Sequence, residues 1–131
     1  MSGAKIKICG LFRPCDAEYV NRAAPDYAGF VFHEESRRYV SDRAARSLRE
    51  AIAPSILTVG VFVDVPHKRI IQLFRDGIIG AVQLHGREDD FFIARLREAL
   101  PGAEIWKAFW VRAPADLDAA RTSAADRVLL D

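Results

Sequence analysis

Apolar residues along this chain gather into six short runs, at positions 5–10, 27–32, 57–63, 78–84, 104–109 and 127–130. None alternates strictly between apolar and polar, so each predicts a parallel strand covered on a face by helices. The segments between them carry helical punctuation. Ser41 stands at the cap position of a helix whose Ala44, Ala45, Leu48, Ala51 and Ile52 recur at three- and four-residue steps, closed by Pro54. Pro66 suits a first helical position ahead of the stripe Ile70, Ile71 and Phe74, which Gly77 ends. Another helix is expected to begin near Glu88, to bury Phe91, Phe92, Leu96 and Leu100, and to stop at Pro101 and Gly102. Pro14 and Pro114 open two weaker helices around Tyr19/Val20 and Leu117/Ala120.

Strand and helix thus alternate until six strands and five helices have been used, as one α/β domain over residues 1–131. Such a series folds either as an open doubly wound sheet or as a (β/α)8 TIM barrel, here a partial barrel of about six parallel strands. The sixth strand has no helix after it, so an apolar parallel edge is expected to lie open.

Composition narrows the partners more than the fold. The 19 basic and 18 acidic residues nearly cancel and no basic block occurs, which excludes the electrostatic footprint of nucleic-acid binding and leaves small anionic ligands open. No apolar run approaches the roughly 18 residues of a membrane span, and the first residues lack the apolar core of a signal peptide, so no membrane partner and a cytoplasmic location are expected. The only cysteines, Cys9 and Cys15, are six apart, which fits neither a disulfide framework nor the usual zinc-ligand gap.

Polar side chains cluster where the predicted strands end: Cys9, His33, Asp64, Gln83 with His85, Lys107 and Asp131. In parallel α/β folds that rim is where ligands bind and chemistry happens. Any strand must also end in something polar as the chain surfaces, so the joint pattern carries the weight. Cys9 closes an apolar run and precedes Gly10, a residue that permits close approach; it reads as a catalytic thiol or a buried structural one. Cys15 reads as a packing residue, with redox pairing to Cys9 the alternative. Arg37 and Arg38, in the loop after the second strand, suit a carboxylate or phosphate, or pair with Glu34 and Glu35. Gly60 and Gly80 read as packing glycines, and no dinucleotide or phosphate-loop signature is present.

Taken in order, KICG at 7–10, GFVF at 29–32, SRRYV at 36–40, VGVFV at 59–63, VQLHG at 82–86 and LLD at 129–131 resemble the phosphoribosylanthranilate isomerases of tryptophan biosynthesis along the whole chain. The resemblance implies a (β/α)8 barrel and an Amadori rearrangement of N-(5-phosphoribosyl)anthranilate to 1-(2-carboxyphenylamino)-1-deoxyribulose 5-phosphate, with no metal and no organic cofactor. It implies Cys9 as general base, Asp131 as general acid, Arg38 as the holder of the anthranilate carboxylate, and Gln83 and His85 as substrate-lining residues. The chemistry asks for a protonated carboxyl that opens the sugar ring and a thiolate that removes the C2 proton. Phe12 stands where the family usually has threonine, and Ala24-Pro25-Asp26 where it usually has Gly-Ala-Asp.

The family continues with further βα units whose loops bind the substrate phosphate, so the resemblance implies a C-terminally shortened chain, a fraying Asp131 and little turnover by these residues alone. Two other classes stay open: a non-catalytic partial barrel that covers its edge with a second copy or a complementary fragment, and a thiol redox protein using Cys9 and Cys15.

Overall fold

The structure is a computed structural model and describes residues 3–131. The elements in chain order are β1 (Lys7–Cys9), α1 (Pro14–Ala23), β2 (Tyr27–Val31), α2 (Asp42–Ala51), β3 (Leu57–Phe62), α3 (His67–Arg75), β4 (Ala81–Leu84), α4 (Asp90–Ala99), β5 (Glu104–Phe109), α5 (Pro114–Arg121) and β6 (Arg127–Leu130). They build one sheet in which every strand pairs in parallel with the next, in the order β1 to β6. A doubly wound sheet reverses its strand order at a switch point. This sheet never does, which selects the barrel architecture, present as six strands and five helices.

The four inner strands, β2 to β5, are buried on both faces for different reasons. Ala28, Phe30, Phe62, Val82, Leu84 and Ile105 pack against helix residues such as Val20, Leu48, Ile70, Leu73, Ile93 and Leu96, forming the core between sheet and helices. The alternate residues Tyr27, Val59, Ala81 and Trp106 form a smaller cluster on the opposite face, with Leu129 against it. That second face is concave. Neighbouring strands lie about 4.8 Å apart, so side chains three strands apart would sit about 14 Å apart on a flat sheet. Tyr27 of β2 and Trp106 of β5 instead meet edge to face with ring centroids at 4.9 Å, and Lys7 Nζ of β1 lies 5.5 Å from the Trp106 ring.

Helix boundaries follow the capping chemistry. Ser41 caps α2 as expected, its hydroxyl accepting from the Ala44 amide at 3.1 Å. Pro66 is the N-cap of α3 and not its first helical residue. The larger departure is α4, which starts after Asp89, whose carboxylate accepts from the Phe92 amide at 2.9 Å. The buried stripe is therefore Ile93, Leu96 and Leu100, and Phe91 is turned outward with 72% of its surface exposed. Along the outer face of β6, Val128 and Leu130 are 39% and 59% exposed, the open apolar edge the pattern predicts. Asp131 is tied to β5 and the residues after it: its amide donates to the Phe109 carbonyl and its carbonyl accepts from the Val111 amide, both at 2.9 Å.

Between α3 and α4, His67 stacks on Phe92 with ring centroids 3.9 Å apart, and its Nε2 is buried with no partner among the described residues. Burial, reinforced by the nearby Arg95 guanidinium, holds this imidazole below its ordinary pKa of 6.5. The folded state thus binds fewer protons here than the unfolded chain, so stability is complete above that value and drains as pH falls through it. His67→Phe keeps the stack and removes the titration. Its urea midpoint is expected to drop less than the parent's between about pH 7 and about pH 5; equal drops would refute this.

Candidate active site

Strand alternation decides which polar residues share the concave face. Cys9 pairs in register with Gly29, and Gln83 with Trp106, which pairs with Arg127; these residues point into the bowl together with Lys7, two positions before Cys9. A Cβ on Gly29 would come within 2.8 Å of Cys9 Sγ, so this glycine leaves the room the thiol occupies. Gly10 carries φ +89°, and a side chain there would collide with the Arg38 guanidinium, which lies over that backbone and donates from Nη1 to the Cys9 carbonyl at 2.8 Å. The arginine therefore stands at the mouth beside Cys9, and its bond goes to the backbone, not to Glu34 or Glu35.

From Cys9 a line of polar groups crosses the bowl. Lys7 Nζ donates to Gln83 Oε1, the Gln83 amide nitrogen lies 3.5 Å from His85 Nδ1, and His85 Nε2 lies 3.3 Å from Asp131 Oδ2. Burial draws the Lys7 ammonium below its usual range, an effect the adjacent Cys9 sulfur partly opposes. His85 and Asp131, with Trp110 and Arg87, border a hollow of about 440 Å³ at the C-terminal ends of the strands. A second hollow, of about 360 Å³, lies between α1 and α2 in the outer layer, away from these groups.

Other rim residues are placed elsewhere. Lys107 sits between the inward-facing Trp106 and Ala108, so it points to the helix side, where it is buried and lies 3.2 Å from Glu88 Oε1. Asp64 accepts from the Arg87 amide at 2.6 Å and knits two loops together. His33 lies 3.8 Å from Glu35 on the loop after β2, outside the Cys9-to-Asp131 line. Cys15 is an exposed free thiol on α1 and not a packing residue, because α1 turns Ala17 and Val20 inward. Two members of the neighbourhood escape the reading of strand ends, Lys7 and Glu88. The even spacing between Lys7 and Cys9 is the signal that finds the first. Among the described residues no group of three His, Cys, Asp or Glu side chains is arranged to hold a metal ion, and no helix is long and apolar enough to cross a membrane.

A curved parallel βα sheet with titratable side chains gathered at its C-terminal mouth has the layout of the (β/α)8-barrel proteins. The family model for N-(5'-phosphoribosyl)anthranilate (PRA) isomerase matches residues 6–131. The chain belongs to that family. It is 40% identical over 131 residues to the N-(5'-phosphoribosyl)anthranilate isomerase of Acetivibrio thermocellus, covering 96% of this chain and 60% of the relative. The crystal structure of the phosphoribosyl anthranilate isomerase of Thermotoga maritima superposes with a TM-score of 0.88 at 31% identity, over 98% of this chain and 62% of that one. A phosphoribosyl anthranilate isomerase in complex with reduced 1-(O-carboxyphenylamino)-1-deoxyribulose 5-phosphate matches equally well, with a TM-score of 0.88 over 98% of this chain and 65% of that one. The chain thus spans about 60% of the length of the curated relatives it matches.

Proposed function

We propose that the mouth of the bowl is the greater part of a phosphoribosylanthranilate isomerase site, with the chain forming one partial-barrel domain over residues 1–131. The observation that carries this reading is the placement of Cys9 and Asp131, from the two edge strands, on one concave surface. Asp131, as general acid, protonates the furanose ring oxygen; the C1–O bond breaks and a Schiff base forms on the anthranilate nitrogen. Cys9, as thiolate, takes the C2 proton, and the resulting enolamine tautomerises to the ketose. Acid and base suffice for these steps, so the reading assigns no cofactor. Arg38 grips the anthranilate carboxylate, and Gln83 and His85 line the sugar's path. A cytoplasmic setting belongs to the proposal, supported by two free thiols.

The substrate is then a small anionic phosphosugar-anthranilate, and a solved relative holds the reduced product of this reaction. The test uses that compound in a calorimetric titration of the chain fused to the unmatched remainder of the Thermotoga maritima relative. Saturable binding is expected, weakened roughly ten- to a hundredfold by Arg38→Met through loss of a charged hydrogen bond. Absent binding, or equal affinity in the variant, would overturn the assignment.

A second reading draws on the uncovered Val128 and Leu130 beside an unpaired strand edge: a non-catalytic partial barrel that self-associates or takes up a complementary fragment. Concentration-dependent sedimentation with no ligand binding favours it over the isomerase.

A further inference from the structure

We infer that Lys7 is a positioning residue which, acting through the Gln83 amide, fixes the nitrogen of His85 that carries the proton and hence the atom offered to Asp131. A lysine ammonium has three donors and no acceptor. Because Lys7 Nζ donates to Gln83, the amide must turn Oε1 toward it, which sends Nε2, a donor, toward His85 Nδ1 at 3.5 Å. Nδ1 then presents its lone pair, and the neutral ring keeps its hydrogen on Nε2. That hydrogen faces Asp131 Oδ2, 3.3 Å away.

The ammonium is held in place on two further sides. The Trp106 ring lies 5.5 Å from Nζ, and the Cys9 sulfur stands on the same strand face. A donor-only group on β1 thereby sets the polarity of a hydrogen-bonded line that ends on the last residue of the described chain. With Oδ2 engaged by the imidazole, Oδ1 is the oxygen left to carry a transferable proton into the bowl. That catalytic meaning rests on the isomerase reading; the tautomer itself does not, and can be measured without turnover.

The experiment is nitrogen-15 NMR of the 131-residue chain with labelled histidine, recorded above the imidazole's titration range, with His85 assigned by comparison with His85→Asn. The parent is expected to show a pyridine-type resonance at Nδ1 and a pyrrole-type resonance at Nε2. Free imidazole modestly favours the same form, so the deciding variant is Gln83→Glu, which keeps the shape but offers only acceptors. Nδ1 is expected to become protonated there, inverting the pattern or giving two pyrrole-type nitrogens. Lys7→Met releases the amide, and the Nδ1 resonance should move toward an averaged value as the tautomer preference drops by roughly tenfold, the scale of one net hydrogen bond, toward the modest preference of free imidazole.

A protonated Nδ1 in the parent, or an unprotonated Nδ1 in Gln83→Glu, overturns the inference. An unchanged spectrum in a folded Lys7→Met removes Lys7 from the role. Should Lys7→Met fail to fold, Lys7→Arg decides: it keeps a donor-only group and must leave the parental tautomer in place. If no isomerase ligand binds while the tautomer inverts as described, the proposed function fails and the positioning role stands.

Discussion

Cys9→Ser and Asp131→Asn, each in the chain fused to the remainder of the Thermotoga maritima relative, are expected to lower kcat for the Amadori rearrangement by about 10²–10⁴ while leaving KM within a few-fold. A serine hydroxyl keeps its proton at neutral pH and cannot take one from C2. The asparagine amide keeps a polar contact with His85 but has no carboxyl proton for the ring oxygen. Neither change touches the grip on the carboxylate, which on this reading belongs to Arg38, so the loss should fall on turnover. On this reading the two steps are served by opposite ends of one polar line, and the double variant should be worse than either single one without reaching the product of the two losses. Steady-state kinetics beside far-ultraviolet circular dichroism checks this. Near-parental kcat in either folded variant removes that residue from the mechanism.

How much of this was legible from residues alone can be traced through particular positions. The strands were, because burial on both faces leaves unbroken runs such as Val59 to Phe62, and all six runs begin or end within one residue of the observed strand at one end or both. The shared placement of Cys9, Gln83, His85 and Asp131 followed from their positions at strand ends, which a parallel barrel aims at one rim. Lys7 was hidden inside an apolar run, although its spacing from Cys9 puts it on the same face of the strand. Phe91 was misplaced because a helix advances about 100° per residue, so a slip of one or two positions at the N-cap turns a buried side chain outward. Lys107 failed by parity, one step off the inward-facing Trp106. Glu88 resembled an ordinary first-turn acid. Its burial depends on a lysine 19 residues away and on backbone amides from two loops, and no local spacing encodes such a meeting.

That buried pair supports the second large expectation: Glu88→Ala should destabilise the chain by about 3–5 kcal/mol. The Glu88 side chain is 1% exposed and Lys107 7%. One carboxylate oxygen accepts from the Gly86 amide at 2.8 Å and from Lys107 at 3.2 Å, and the other accepts from the Asp64 amide at 2.9 Å. Truncation therefore leaves an ammonium with the Gly86 carbonyl at 2.6 Å as its hydrogen-bond acceptor and the Phe109 ring at 5.9 Å, plus two amides without their acceptor. Each loss is costly in a site that water does not reach. Lys107→Met alone should cost less, because the carboxylate retains both amide donors. Glu88→Leu with Lys107→Met should recover part of the loss, since apolar groups of similar volume remove the desolvation cost of both charges together while the Gly86 and Asp64 amides stay without their acceptor. Urea titrations of the parent, Glu88→Leu, Lys107→Met and their double give the coupling energy, provided the m-values agree. A loss below about 1 kcal/mol for Glu88→Ala would mean that the pair behaves as a solvated one. The same carboxylate ties the loop carrying Gly86, one residue past His85, to the loop carrying Asp64. If the destabilised variant still folds, His85 should lose its fixed distance to Asp131, so on the isomerase reading turnover of the fused chain ought to fall further than the folded fraction accounts for.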